Sequence, residues 1–324
     1  PLRLFVGTFN VNGKTCDDAG LAAWLSSANS SANDAEPPDV LVIGFQEFVD
    51  LNAQNMLREG GGKRREAQER VEAAVHKLHG ARYILVQAEQ MVGVLLLVYV
   101  APRLASSVAH VATETVKTGF GGAAGNKGGV ALRMEIDGAS VCVINAHLPS
   151  GASHADDRNA TVGEILRGLT SAFGAARDGP YPPPLGHDLC VFVGDLNYRL
   201  DERNEDVRAK LATSDWASLL ASDQLNAARR NRLAFEGFEE AEVTFRPTYK
   251  FDVGTVDRYD TSEKARTPSW CDRVLWGRGP HVRCAAYVAC HSVTCSDHKP
   301  VAARLVWAPP GADAAALAPP PPTA

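Results

Sequence analysis

Three stretches of this chain carry apolar side chains on both alternating faces: residues 2–11, 39–45 and 189–193. A strand that is apolar on both faces must be covered on both. Each stretch also stops abruptly in polar side chains. The third runs into Asp195-Leu196-Asn197-Tyr198-Arg199, the second into Gln46-Glu47, and the first ends in Asn10 and Asn12. Ser296-Asp297-His298 forms a counterpart near the C-terminus. Core strands that end in carboxylates and amides aim those groups at one place. The set suits a divalent metal together with a phosphate.

Between these strands the pattern alternates. Helices are expected at residues 17–28 and 63–78, the second with Val71, Ala74, Val75 and Leu78 on one face. Strands are expected at 83–86, 92–100 and 108–117. Residues 130–136 and 139–148 form a hairpin about Asp137-Gly138, a favoured two-residue turn. A helix at 154–173 and a Pro-rich loop precede the strand that leads to Asp195. Short helices follow at 204–211 and 215–221, the second capped by Asp215. Strands at 270–276, 283–291 and 300–307 close the domain. Two sheets packed face to face, with helices outside, would cover every apolar face, which is a mixed α/β architecture. A single folded domain is expected over residues 1–307. Residues 308–324 read as an Ala/Pro-rich linker or disordered tail, with a proline run at 319–322.

Charge narrows the partner. The net charge is −5 over 324 residues, whereas a domain that grips nucleic acid by its backbone is usually basic. No run of 18 apolar residues is present to span a membrane. Strand-like sequence begins at residue 1 with no signal peptide before it, so the chain is expected to be excised from something longer. The seven cysteines are scattered and odd in number, with Cys142 and Cys190 inside apolar strands. That pattern suits free thiols in a reducing compartment. Cys284, Cys290, His291, Cys295 and His298 cluster in sequence but contain no C-x-x-C pair, which disfavours zinc.

The polar strand ends each have two readings. A carboxylate such as Glu47 at the end of a buried run is costly unless it is solvated, paired or on a metal. Asp195 and Asn197 alternate onto one face, where Asp could orient and deprotonate a water and Asn could donate to a phosphoryl oxygen. Both also suit a turn, as do Asn10 and Asn12. His147, alone, is either structural or catalytic. Asp272 and His298 could form a carboxylate that orients an imidazole, and Asp297 could reach a metal. The Gly-rich stretch 119–129 holds Lys127. No Ser or Thr follows that Lys, so it is not a Walker loop. It is either an anion cradle or a flexible hairpin loop. Tyr249, Lys250 and Lys264 could bind a phosphate that does not react, or could be solvated loop residues.

Taken together, these motifs have a family likeness. Gly-Thr-Phe-Asn-Val-Asn-Gly, Gly-Phe-Gln-Glu, Gly-Asn-Lys-Gly-Gly-Val, Gly-Asp-Leu-Asn-Tyr-Arg, Arg-Pro-Thr-Tyr-Lys-Phe-Asp, Pro-Ser-Trp-Cys-Asp-Arg-Val and Ser-Asp-His-Lys-Pro-Val occur in that order. Across residues 2–307 the chain resembles the inositol polyphosphate 5-phosphatase family, and residues 47–53, 115–119 and 259–264 resemble its synaptojanin branch. The resemblance implies a four-layer αββα sandwich of the DNase I-like type. It implies Mg2+-dependent hydrolysis of the 5-phosphate of phosphatidylinositol 4,5-bisphosphate and related inositol phosphates.

By the same resemblance, Glu47 is the main metal ligand, with Asn10 and Asp297 near it. Asp195 activates the attacking water. Asn197 and His147 hold the scissile phosphate, and His298, supported by Asp272, stabilises the transition state. Asn126 and Lys127 meet the 1-phosphate, while Tyr249, Lys250 and Lys264 read the 4-phosphate. The implied partners are a phosphoinositide head group at a membrane surface or soluble inositol phosphates, with SH3-type domains for the Pro-rich tail and no nucleic acid. A monomeric catalytic domain, cytoplasmic and peripheral to membranes, is expected. Two departures stand out: Leu148-Pro149-Ser150-Gly151 replaces small or apolar residues, and Ala146 replaces a usual Ser. A nuclease or sphingomyelinase of the same fold would share Glu47, Asp195, Asn197, Asp297 and His298 without needing Lys127, Tyr249, Lys250 or Lys264. A catalytically silent phosphoinositide-binding module is the third reading. It is disfavoured because every expected catalytic position is filled.

Overall fold

The doubly apolar stretches become inner strands of two sheets. The structure, a computed structural model, describes residues 1–29, 36–49, 61–118, 127–279, 281–312 and 317. In chain order the elements are β1 (Leu2–Asn10), α1 (Asp18–Ser26), β2 (Val40–Gln46), α2 (Gly61–His79), β3 (Ile84–Met91), β4 (Val94–Val100), β5 (Val108–Lys117), β6 (Gly128–Ile136) and β7 (Ala139–His147). They continue with α3 (Ala155–Gly174), β8 (Leu189–Asp195), α4 (Asn204–Ala212), α5 (Trp216–Ala221), α6 (Gln224–Arg230), β9 (Phe238–Glu239), β10 (Asp272–Gly277), β11 (Val282–Ala289) and β12 (Val301–Trp307).

Each sheet has six strands, ordered β11-β12-β1-β2-β4-β3 and β5-β6-β7-β8-β10-β9. In the first, β1 runs parallel to β2, placing Asn10 beside Gln46, and antiparallel to β12, placing Leu2 beside Trp307. In the second, β7 and β8 are parallel, with His147 beside Asp195. β10 runs antiparallel to β8, so Asp272 lies opposite Asp195. Val6, Val42, Leu96, Val98, Leu132, Val143, Val193 and Val274 fill the space between the sheets. Each such side chain contributes roughly 1.5–3 kcal/mol when fully buried. Helices α1 and α2 cover the outer face of the first sheet through Trp24, Leu25, Val71 and Val75. Helices α3 and α6 cover the second through Val162, Ile165, Leu169 and Leu225. The layers are helix, sheet, sheet, helix, as the DNase I-like type requires.

Trp24 anchors the first outer layer. Its ring meets Phe5, Phe9 and Phe45 edge-on, and its indole N–H donates to the Val301 carbonyl at 3.0 Å. Caps set the helix starts: Asp17 accepts from the Gly20 amide, Asp215 from Ser218 and Asp223 from Asn226. The hairpin turn falls at Asp137-Gly138 as expected, with both residues at positive φ.

The sheets are also tied together by polar groups beneath the site. Gln46 donates to Asn145 Oδ1 at 2.6 Å and exchanges hydrogen bonds with Thr8. Asn145 donates in turn to the carbonyls of Phe45 and Leu95 in the opposite sheet. Gly44 permits this approach, because a Cβ there would lie 2.7 Å from the Asn145 side chain.

Some boundaries differ from expectation. β3 extends to Met91 instead of ending at 86, because its polar stretch is an edge strand that needs little cover. Helix α6 was not expected, and β11 ends before Cys290 and His291. All seven cysteines are free thiols. Among the described residues, no helix is long and apolar enough to cross a membrane. The proline run at 319–322 lies outside the described residues.

Candidate active site

The ends of β1, β2, β7 and β8, with the start of β10, meet at one end of the sandwich. A cleft of ≈ 550 Å³ opens above them, bordered by Glu47, Lys127, Asp195, Asn197, Tyr249, Lys264, Asp297 and His298. Gly194 makes the central strand end possible. Its φ is 148°, and a Cβ there would lie 2.0 Å from the Ala146 carbonyl oxygen. The close contact sets His147 and Asp195 side by side.

Asp195 is the hub. Its Oδ2 accepts from Asn10 Nδ2 at 2.8 Å, a hydrogen bond that crosses between the two sheets. Its Oδ1 accepts from the Asn197 amide at 3.1 Å. His147 Nε2 lies 3.4 Å from Oδ2, and His298 Nε2 lies 3.8 Å from it. Burial opposes ionisation of Asp195, but the charges of His298 and Lys127, with the His147 contact, outweigh it and hold the carboxyl well below the usual range.

The two histidines differ in charge. His298 Nδ1 sits 2.9 Å from Asp272 Oδ2, which also accepts from Thr248 Oγ1 at 2.6 Å. Burial disfavours a charged ring, yet Asp272 and Asp195 push His298 up to about 10. His147 moves the other way, lowered by burial and then by Lys127. Lys127 Nζ lies 2.5 Å from His147 Nε2, so the neutral ring accepts from the ammonium. His147 Nε2 is also 3.7 Å from Glu47 Oε1. Burial lowers Lys127 as well, against the pull of Asp195 and Glu47.

Glu47 and Asn197 both hold left-handed backbone, at φ 48° and 56°. Asn tolerates that region; for Glu it costs on the order of 1–3 kcal/mol, a strain typical of functional positions. Glu47, Asn10 and Asp297 offer hard oxygen donors on the first sheet's side. That donor chemistry fits magnesium or calcium and lacks the thiolates that soft metals prefer. Among the described residues, the tightest grouping of potential ligands is instead Asp195, Asp272 and His298. With His298 charged and Thr248 on Asp272, that group is better understood as a hydrogen-bonded carboxylate–imidazolium pair beside a carboxylate than as a metal cage.

The sequence candidates therefore converge, with differences in detail. Asp297 accepts from Lys250 Nζ at 2.5 Å, so one of its oxygens faces a cation already in the protein. Lys250 is thus engaged with Asp297, whereas Lys264 is exposed and borders the cleft. Lys127 sits at His147, close to Asp195, and reaches a distal phosphate only by leaving that contact. Tyr249 packs its ring 4.6 Å from the His298 ring. Asn12 forms a turn, its amide donating to Asn10 Oδ1 at 3.0 Å. Asn126 lies outside the described residues. Sequence reasoning missed Thr248 and Arg266, and gave no site role to Ser296 or Ser150 although it noted both stretches. Ser296 Oγ donates to the Asn10 carbonyl at 2.7 Å, and Ser150 and Arg266 border the cleft. Arg266 lay two residues beyond Lys264 as a visible cation, while nothing in the sequence marked Thr248 as the partner of Asp272.

Comparison with known proteins bears on this geometry. Residues 7–304 match the model of the endonuclease/exonuclease/phosphatase family 2. The mouse type II inositol 1,4,5-trisphosphate 5-phosphatase is 39% identical over 92% of this chain, and rat synaptojanin-1 is 39% identical over 86%. The chain spans 29% and 18% of those two relatives. Among solved structures, the inositol polyphosphate 5-phosphatase domain of SPsynaptojanin, in complex with inositol (1,4)-bisphosphate and calcium ion, superposes with a TM-score of 0.79. It is 31% identical, and the match covers 94% of this chain and 85% of that one. A Cimex nitrophorin shares the fold alone, with a TM-score of 0.71 at 21% identity over 94% of this chain and 98% of its own. The sandwich thus also serves a protein of a different kind, so function has to be argued from the side chains at the strand ends.

Proposed function

The chain belongs to the endonuclease/exonuclease/phosphatase family, and we propose that it hydrolyses the 5-phosphate of phosphatidylinositol 4,5-bisphosphate and related inositol phosphates, with Mg2+. The observation that carries this reading is a buried, ionised Asp195 set among cationic groups at the floor of a cleft whose rim bears Lys264 and Arg266. A substrate with one reacting phosphate and others at a distance matches cations at both depths. The inositol 5-phosphatases and synaptojanins among its relatives support the same substrate class.

Phosphoryl transfer depends mainly on positioning and charge neutralisation. Asp195 orients the attacking water and takes its proton as the new O–P bond forms; the bond to the inositol oxygen breaks, that oxygen leaves as the alcohol with a proton from solvent in the open cleft, and Asp195 returns its proton to solvent. Free, this carboxylate is too acidic to be an effective base. The cations that make it so are also the ones an incoming phosphate dianion would neutralise, which would raise its proton affinity when substrate is present. Charged His298, oriented by Asp272, donates from Nε2 to a phosphoryl oxygen; Asn197 holds the same group, joined by His147 once Lys127 leaves its Nε2 and that nitrogen carries a proton. Glu47 would hold the ion, with Asn10 and Asp297 beside it; when bound, the ion supplies Lewis acidity to the phosphoryl group. Lys264, with Tyr249 and Lys250, reads the 4-phosphate. This work belongs in the cytoplasm, at membrane surfaces or on free head groups.

The test is phosphate release from inositol 1,4,5-trisphosphate and from vesicles containing phosphatidylinositol 4,5-bisphosphate, with Mg2+ or chelator. One phosphate per molecule is expected, none from substrates lacking a 5-phosphate and none in chelator. Asp195→Asn is expected to lower turnover by about 10²–10⁴-fold, the usual worth of a positioned base. Wild-type turnover in that variant would refute the mechanism.

A further inference from the structure

We propose that Arg199 is a positioning residue that fixes which end of the Asn197 amide meets the phosphate. The inference rests on the phosphatase reading above, in which Asn197 donates to a phosphoryl oxygen. The amide is held at both ends. Its Oδ1 accepts from Arg199 Nη2 at 2.6 Å, and its Nδ2 donates to the Leu148 carbonyl at 3.1 Å. A guanidinium carries only donors, so it can face only the carbonyl oxygen of that amide. The NH2 group is thereby turned the other way. Leu148 takes one of its two hydrogens, leaving the second for the cleft that Asn197 borders. An amide turned over would present oxygen lone pairs to an anion, replacing an attraction with a repulsion.

Arg199 is itself well fixed, at 8% exposure. Its Nε donates to the Asn197 carbonyl at 3.0 Å, so the planar fork grips both oxygens of one residue. Its backbone amide donates to Gln224 Oε1 at 2.9 Å. Its guanidinium lies 4.4 Å from the centre of the Tyr249 ring, on which His298 also packs. The backbone of Asn197 is pinned as well, by its amide on Asp195 Oδ1 and its φ of 56°. With backbone and side chain both held, the orientation of one donor is set before substrate arrives, which is how preorganised electrostatic stabilisation works.

A double-mutant cycle tests this, with kcat and KM measured separately for phosphate release from inositol 1,4,5-trisphosphate in Mg2+. Asn197→Ala is expected to lower kcat by about 10²-fold, the scale of one lost transition-state donor. Arg199→Gln is expected to lower kcat by about tenfold with little change in KM. In the Asn197→Ala background the same Arg199→Gln change is expected to alter kcat by less than about twofold, because the two residues act as one unit. Equal losses in both backgrounds would overturn the proposal, since Arg199 would then act independently of Asn197. An Asn197→Ala variant with full activity would instead overturn the phosphatase role of Asn197, and this inference with it. Should Arg199→Gln not fold, Arg199→Lys runs the same cycle, because a single ammonium cannot grip both Asn197 oxygens.

Discussion

Asp272 and Arg273 are neighbours on β10 and both are wholly buried, yet they serve different charged clusters. Alternation sends them to opposite faces of the sheet. Arg273 grips Glu240 with two nitrogens, at 2.6 and 2.8 Å, and reaches Asp223 at 3.0 Å. Tyr287 adds a hydroxyl to Glu240, and Asp223 also caps α6. That cluster is closed, with its charges answered by fixed partners and no border on the cleft. Asp272 lies opposite a second carboxylate, Asp195, with His298 between them and the cleft above. Burial of charge is common to both, so burial by itself marks neither stability nor chemistry. The difference is that one cluster is closed by fixed partners and the other borders an open cleft.

The largest effect that sharpens this contrast is expected at Asp272. Asp272→Asn removes the partner that keeps His298 charged, and kcat is expected to fall by about 10²–10⁴-fold. Because the buried pair also stabilises the fold, its urea midpoint is expected to fall as well, and kcat per folded molecule is the readout that separates it from an Arg273 variant. Conversely, Arg273→Ala strands Asp223 in the interior and leaves Glu240 with only Arg229 and Tyr287, and unfolding free energy is expected to drop by about 3–5 kcal/mol. Turnover per folded molecule should stay within about threefold of wild type. If fully folded Arg273→Ala were inactive, the two clusters would not be functionally separable.

A smaller effect lies in the pH dependence of stability. His298 is raised from 6.5 to about 10 in the folded protein. A raised imidazole stabilises the fold fully below its unfolded value, and the contribution fades as pH rises through the folded one. In chelator, the denaturation midpoint should therefore decline between pH 6.5 and about 10. The decline should be shallower in His298→Asn. An identical slope in that variant would assign the effect to other groups.

Much of the layered fold was legible because two physical signals coincided. Strands such as β2 and β8 were apolar on both faces, and each stopped in residues that the core could not absorb. Asp195, Asn197 and Glu47 stood out for that reason. Pairings between distant segments were not legible. Nothing local shows that Asp297 would receive Lys250, or that Arg199 would turn to Asn197, because side-chain partners depend on how the sheets meet. Helix α6 escaped notice because so short a segment shows little apolar period; Leu225 and Ala228 are its buried apolar residues. β3 was cut short because an edge strand can carry Gln87, Glu89 and Gln90 without breaking the core.

The pairing of Leu2 with Trp307 has a practical bearing on how the molecule can be handled. Both residues lie at the end of the sandwich remote from the cleft, separated from Asn10 by the length of β1, roughly 3.3 Å per residue along the strand. A tag or a surface anchor attached at Leu2 or at Trp307 would therefore emerge from the same pole, with the mouth pointing away. Immobilised through that pole, the protein would present its open cleft to the solution.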